Sequence, residues 1–345
     1  MRAVVYDGFG VSPEVRDVVE PGPPPGGVVI RVEATGLCRS DWHGWQGHDA
    51  DIQKFPHVPG HEFSGVVAEV GAGVRHWAAG DRVMAPFVCA CGSCSDCARG
   101  DQQVCAYQTQ PGFTHWGSFA GYVVINHADV NLIRLPEGMS FATAASLGCR
   151  FATAFRAVTA RASVRPGEWV AVYGCGGVGL SAVMIAAAAG AQVIAIDTSP
   201  DALALARRFG AAESLLAGDG DLTGQIVELT AGGAHVSMDA LGDPGICAQS
   251  IQSLRRRGRH VQIGLLPRGA ELPMGRVIAY ELDLLGSHGM PAHAYPPMLE
   301  LIAAGRLTPE ALITRTISLD EAVPALVGGS TPGVTMIDPW RHSDM

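Results

Sequence analysis

Charge is scarce in this chain of 345 residues: Asp, Glu, Lys and Arg together supply 17% of it, against roughly a quarter in an average soluble protein. The balance is acidic, with 24 basic side chains against 33 acidic ones and a formal net charge of −9. Such a chain is a poor partner for nucleic acid or for an anionic lipid surface. Hydrophobic residues make up 48%, so the polarity of a disordered chain is missing and a sizeable core is available. Missing too is any apolar run of the roughly 18–20 residues that a membrane span needs. The longest, from Ala182 to Ile196, is broken by Gly190 and Gln192 and reads as a buried helix running into a buried strand. The start, MRAVVYDGFG, carries Asp7 where a leader needs an apolar core, and it does not read as a signal peptide. No repeat and no low-complexity linker interrupts the sequence. The expected compartment is the cytoplasm.

What the chain does contain is glycine and cysteine. Its 44 glycines are about twice the usual share, which points to many tight turns or close backbone approaches, as in nucleotide-binding α/β proteins. Its nine cysteines are an odd number, and Cys91, Cys94, Cys97 and Cys105 crowd into one short stretch. Cys-x-x-Cys-x-x-Cys-x₇-Cys is the spacing of a structural zinc lobe, spanning about 89–106: four thiolates close a tetrahedron and leave no position for chemistry. Disulfides are the alternative and require an oxidising compartment. Cys89 falls outside the spacing and reads as a spare thiol.

Length alone predicts two domains. The first 130 or so residues are short β-branched runs punctuated by Gly and Pro, at Val28–Ala34, Gly65–Val70, Arg82–Ala85 and Tyr122–Ile125. From about Phe151 the texture changes to alternation. Strand Trp169–Tyr173 leads to helix Gly179–Ala189, strand Gln192–Asp197 and helix Ala202–Phe209; Val236–Ala240, Ile246–Leu254 and His260–Ile263 continue the series. This predicts an α/β fold in which a doubly wound parallel sheet interrupts a β-rich domain. After Leu285 the alternation fades into a helix near Tyr295–Ala304 and a last strand near Val334–Ile337, with the tail returning to the first domain. The boundaries expected are 1–148, 149–285 and 286–345.

Gly174-Cys175-Gly176-Gly177-Val178-Gly179 gives G-x-G-x-x-G directly after a strand and opening a helix. Gly174 serves the tight turn, Gly176 lets backbone approach a pyrophosphate, and Gly179 permits close helix–strand packing. Asp197 ends the next strand, where a carboxylate accepts from an adenosine ribose and repels a 2′-phosphate. Thr198-Ser199-Pro200-Asp201 holds no cation to welcome that phosphate, so NAD is expected over NADP. An ordinary strand–turn–helix with a capping Asp is the bland alternative.

Three dispersed fragments complete the pattern: Gly36-Leu37-Cys38-Arg39-Ser40-Asp41-Trp42-His43, Gly60-His61-Glu62, and Gly148-Cys149. With the four-cysteine lobe and the dinucleotide fingerprint, their order resembles the zinc-containing medium-chain dehydrogenase/reductase family, the alcohol dehydrogenases in particular, from Met1 to about Asp338. The resemblance implies a GroES-like catalytic domain joined to a Rossmann domain, two zinc ions per chain, and hydride transfer between an alcohol and NAD. It implies Cys38, His61 and Cys149 as ligands of the catalytic zinc and Glu62 as a carboxylate that approaches the metal transiently. Asp41 is the implied acceptor fixing a ligand imidazole. Ser40 and His43 form the implied proton relay, through the cofactor ribose. The resemblance also implies Phe87 as a lining residue of the substrate pocket, with Trp42, Trp116, Leu265 and Met290 as weaker candidates.

Cys149 favours the alcohol-dehydrogenase arrangement over that of polyol relatives, which often carry a carboxylate there. A polyol or sugar-alcohol dehydrogenase is therefore the close rival, and a dinucleotide-binding protein without turnover the distant one. Arg150 and Phe151 depart from the small residues common after the third ligand. A homo-oligomer is implied, a tetramer ahead of a dimer.

Overall fold

Val28–Leu37 is a strand with both faces covered. Its β-branched residues Val28, Ile30 and Val32 are buried in a core with Phe63, Val67, Val83 and Ile125, and Val29 is buried as well. The computed structural model describes the chain apart from residues 219, 267–268, 329–331 and 342–345. The described chain falls into two compact units, one of Met1–Ala152, Gly289–Leu301 and Thr308–Met345, the other of Thr153–His288 and Ile302–Leu307.

The first unit is built on a seven-stranded, mostly antiparallel sheet around Val28–Leu37, which pairs with Glu62–Val70, Tyr122–Ile125 and Val334–Ile337. The last of these is the C-terminal return, in register Ile337↔Thr35. The register Gly36↔Glu62 brings the end of one strand, next to Cys38, beside the start of another, next to His61. Helix Arg39–Trp45 begins directly after Cys38. Helix Phe141–Ser146, capped by the Ser140 hydroxyl accepting from the Thr143 N–H at 3.1 Å, runs into a wide π-helical turn, Leu147–Phe151, that carries Cys149. Such turns, with one residue more than an α-turn, recur at functional sites because they re-aim a side chain. Phe87 N–H donates to Gly148 O at 3.0 Å and the Tyr295 hydroxyl to Leu147 O at 3.2 Å, so the turn is tied down on two sides.

The second unit is a six-stranded parallel sheet in the spatial order Glu213–Leu216, Gln192–Asp197, Trp169–Tyr173, Ala234–Asp239, Leu254–Gln262, Asp283–Gly286. In chain order this is 3-2-1-4-5-6, the doubly wound arrangement whose ligands sit at the carboxyl ends of the strands. Helix Gly177–Ala188 has no polar stripe, and Leu180 through Ala186 are all buried. The expected α/β class and its two kinds of sheet are therefore present. Sequence patterning passed over the edge strands Glu213–Leu216 and Asp283–Gly286, which are too exposed to carry an apolar signal, and helix Leu319–Gly328, whose Pro324 disguises it.

Acidic balance hides one basic run, Arg255-Arg256-Arg257 with Arg259. These guanidiniums are engaged: Arg257 with Glu281 and Arg259 with Glu168, each at 2.6 Å, Arg255 with His235 at 2.7 Å, and Arg256 over the Tyr280 ring. No helix among the described residues is long and apolar enough to cross a membrane.

Buried His260 gives the fold a pH dependence. Its Nδ1 lies 3.1 and 3.2 Å from the Ser237 and Ser250 hydroxyls, and burial pushes its pKa down, against the pull of Gln262. A histidine held neutral when folded binds its proton more readily when unfolded, so stability is full above the unfolded pKa, about 6.5, and declines as pH falls below it. The thermal midpoint is expected to fall between about pH 7 and about pH 5.5, and less steeply in His260→Gln. An identical slope in the variant contradicts the assignment.

Candidate metal centre and cofactor site

In the lobe of the first unit the sulfurs of Cys91, Cys94, Cys97 and Cys105 approach in pairs at 3.5 to 3.9 Å. A tetrahedron with metal–sulfur arms of about 2.3 Å has edges of about 3.8 Å, so the four fit a zinc ion. All the chain's cysteines are free thiols, which sets the disulfide alternative aside. Ser93 donates to Cys91 Sγ from its N–H at 3.5 Å and its hydroxyl at 3.6 Å, and these donors pull the Cys91 pKa down. Burial and its thiol neighbours push Cys97 the other way. Four thiolates this close would need a cation between them.

The second cluster joins residues far apart in sequence. One ligand atom from each of Cys38, His61, Glu62 and Cys149 lies within 4.8 Å of all the others. Asp41, buried on helix Arg39–Trp45, organises it: Oδ1 accepts from His61 Nδ1 at 2.9 Å and Gly60 N–H at 3.1 Å, and Oδ2 accepts from Cys38 N–H at 2.9 Å. The proton of His61 is thereby fixed on Nδ1, and its Nε2 is buried with no hydrogen-bond partner. An orphaned imidazole nitrogen facing two thiols is the donor set of a zinc site, and burying it without a partner is otherwise costly. Cys38 is drawn well below an ordinary thiol, first by the hydrogen bond from Cys149 and against burial, while Cys149 as donor is pushed up.

Glu62 and Arg150 form a buried ion pair beside this cluster. Arg150 Nε lies 2.8 and 2.9 Å from the two carboxylate oxygens, Nη2 contacts Oε2, and the Arg150 N–H donates to Oε1 at 3.0 Å. Burial pushes the Glu62 pKa up and Arg150 pulls it back. The arginine that the sequence offers only as a departure from pattern is thus part of the centre.

His43, on the same helix as Asp41, is half-buried with Nδ1 at 3.0 Å from His48 Nδ1. Burial lowers its pKa, Arg39 and His48 adding to the effect. Trp42 carries Arg39 over its ring at 4.0 Å and touches both His43 and His48, so its packing is with this polar group. Ser40 lies half-buried on the first turn. His48 has no signal in the sequence because no motif includes it. Phe87 stands 6.0 Å from the His61 ring, and Phe113 stands closer at 5.2 Å. Only its place between Gly112 and Thr114 marks Phe113, and loop glycines are too common here to single it out.

In the second unit Gly174 has φ +90°, and a Cβ on Gly179 would lie 1.7 Å from Gly174 O. The turn and the packing therefore both require glycine. A Cβ on Gly176, just before the helix N-terminus, would meet open space. Half-buried Gly177 and Val178 begin the helix. Asp197 is held at the end of its strand, Oδ2 accepting from Cys175 N–H at 2.6 Å and Oδ1 from Ser199 N–H at 2.8 Å. Asp239 escapes sequence reasoning: it accepts from Leu241 N–H, Gly242 N–H and Gln262 Nε2 at 2.8 to 3.0 Å, fixing the loop that packs Leu241 against Gly174.

Comparison with known proteins identifies the family. Residues 24–137 match the alcohol dehydrogenase GroES-like domain and residues 177–304 the zinc-binding dehydrogenase domain. An alcohol dehydrogenase of Geobacillus stearothermophilus is 33% identical, over 83% of this chain and 84% of its own. A sorbitol dehydrogenase of Halalkalibacterium halodurans is 31% identical, over 93% and 94%. The crystal structure of an NAD-dependent alcohol dehydrogenase superposes with a TM-score of 0.88 at 32% identity, covering 98% of this chain and 99% of the other.

Proposed function

The chain belongs to the zinc-binding alcohol dehydrogenases of the medium-chain dehydrogenase/reductase family, which are oxidoreductases, and from that premise we propose that it oxidises a primary or secondary alcohol to the aldehyde or ketone with NAD and catalytic zinc. The observation that carries the reading is the unpartnered Nε2 of His61, aimed at the thiols of Cys38 and Cys149. Cys38, His61 and Cys149 would hold zinc, which would supply a Lewis acid for the alcohol, and NAD would supply the hydride acceptor.

The chain's own residues do the rest. Asp41 keeps the His61 proton on Nδ1 so that Nε2 stays a ligand. Cys91, Cys94, Cys97 and Cys105 would hold the second, structural zinc. Ser40 Oγ accepts the alcohol proton while giving up its own hydroxyl proton toward His43, which is kept neutral by its depressed pKa and takes the proton onward. His48 Nδ1 is next in line at 3.0 Å, on an exposed residue that gives access to water. Phe87 and Phe113 exclude water around the His61 ring. Gly174, Gly176 and Gly179 with the helix N-terminus take the pyrophosphate, and Asp197 the adenosine ribose. Assembly as a homo-oligomer in the cytoplasm belongs to the same reading. The sorbitol dehydrogenase relative supports a second one, in which the alcohol is a polyol.

The cofactor assignment is tested by kcat/KM for NAD and NADP. Asp197→Gly is expected to lower the NAD:NADP ratio by about one to two orders of magnitude, since the charge that repels a 2′-phosphate and the ribose acceptor go together. An unchanged ratio contradicts the ribose role.

A further inference from the structure

Glu62 is close enough to the ligand set to be a ligand itself, since its carboxylate lies within 4.8 Å of the donor atoms of Cys38, His61 and Cys149. A zinc ion with four protein ligands is a closed, structural site; a catalytic one keeps a place open. Something must therefore decide which kind of site these residues make.

The side chain placed to decide it is Arg150. Its guanidinium lies along the Glu62 carboxylate and engages both oxygens, while its Nη1 donates to Leu37 O at 3.0 Å. Two parallel contacts fix the plane of the carboxylate as well as its position, and the third anchors the arginine to the strand that leads to Cys38. Glu62 is fully buried and Arg150 nearly so, and the pair is shielded from bulk solvent. The strand makes room for this arrangement by carrying no side chain at Gly36, where a Cβ would lie 2.4 Å from Glu62 Oε2 and 2.8 Å from Arg150 Nη2. Gly36 and Arg150 form one device, a slot and the group that fills it.

We propose that Arg150 is a positioning residue that holds the Glu62 carboxylate off the metal and so keeps the fourth coordination place open. This rests on the proposal that Cys38, His61 and Cys149 hold a zinc ion. The arginine does not touch substrate or cofactor; it acts through Glu62 alone. Removing it leaves a buried carboxylate with no counter-charge except the metal beside it, and the carboxylate moves onto the metal.

The test uses full-length protein with cobalt(II) in the second cluster and zinc kept in the four-cysteine lobe. Visible absorption reports the ligands, and transfer to a chelator reports retention. In Arg150→Met the d–d bands are expected to shift, cobalt to leave severalfold more slowly, and turnover to fall. The double variant Glu62→Gln/Arg150→Met is expected to return the wild-type bands and release rate, because the competing ligand is gone. Wild-type bands and release in Arg150→Met overturn the proposal. So does the same change in single and double variants, or loss of cobalt from Arg150→Met, which makes the arginine a mere brace. If Arg150→Met does not fold, Arg150→Lys serves instead: one point donor cannot span both oxygens, and a smaller shift in the same direction is expected, unchanged bands being contrary. Wild-type protein that binds no cobalt with thiolate charge-transfer bands overturns the zinc reading and this proposal with it.

Discussion

Cys149→Ala is expected to leave a folded protein with one zinc per chain in place of two, and with turnover lowered by about 10³-fold or more. The two metal clusters are built from separate stretches of chain, so the loss is confined to one of them. In the four-cysteine lobe every ligand comes from residues 91–105, which fold on one another and owe nothing to Cys149. The second cluster depends on three distant segments, and alanine there leaves Cys38 and His61 as a two-ligand set. The turn Leu147–Phe151 survives the change because Phe87, Tyr295 and the Arg150 N–H hold its backbone. Several kcal/mol of transition-state stabilisation by a Lewis acid disappear with the metal, which is where the size of the effect comes from. Retained turnover, or two zincs in the variant, contradicts the ligand assignment.

Two glycine variants of the dinucleotide turn are expected to separate folding from binding. Gly179→Ala puts a methyl 1.7 Å from Gly174 O, so helix Gly177–Ala188 has to leave the strand it packs on. Thermal stability should fall by about 2–3 kcal/mol and NAD affinity by roughly two orders of magnitude. Gly176→Ala meets open space and an extended backbone that alanine adopts freely, so its melting temperature should match the wild type. Its NAD affinity should nonetheless fall by tenfold or more, because the methyl occupies the approach to the pyrophosphate. Calorimetric titration with NAD alongside thermal melts reads both quantities. Equal NAD affinity in Gly176→Ala and wild type contradicts the placement of the phosphates.

How far the sequence carries differs between the two sites. The dinucleotide turn and the four-cysteine lobe are local in sequence, so their spacing specifies their geometry, and both are found as the spacing predicts. The second cluster is assembled by the register Gly36↔Glu62 and by a wide helical turn, neither of which any single fragment encodes. Resemblance to a family points to its members one by one, and the fold brings Cys38, Asp41, His61, Glu62 and Cys149 together. What the sequence could not offer were the partners that make sense only in three dimensions. His48 and Phe113 are near the centre because of how a loop and an aromatic pack, and Arg150 reads in sequence as an oddity of pocket shape. Edge strands such as Asp283–Gly286 escaped for a related reason: a pattern of apolar residues marks only what is buried.

Alcohol–NAD hydride transfer at a zinc site is best tested by NADH formation with the purified protein. The panel should hold short primary, bulky aromatic, secondary and polyol alcohols, with zinc content measured on the same sample. Turnover of at least one class with NAD, abolished when the zinc of the Cys38, His61 and Cys149 cluster is removed and restored when it is returned, is the result expected. Protein that carries two zincs per chain and reduces no NAD with any of these alcohols would contradict it.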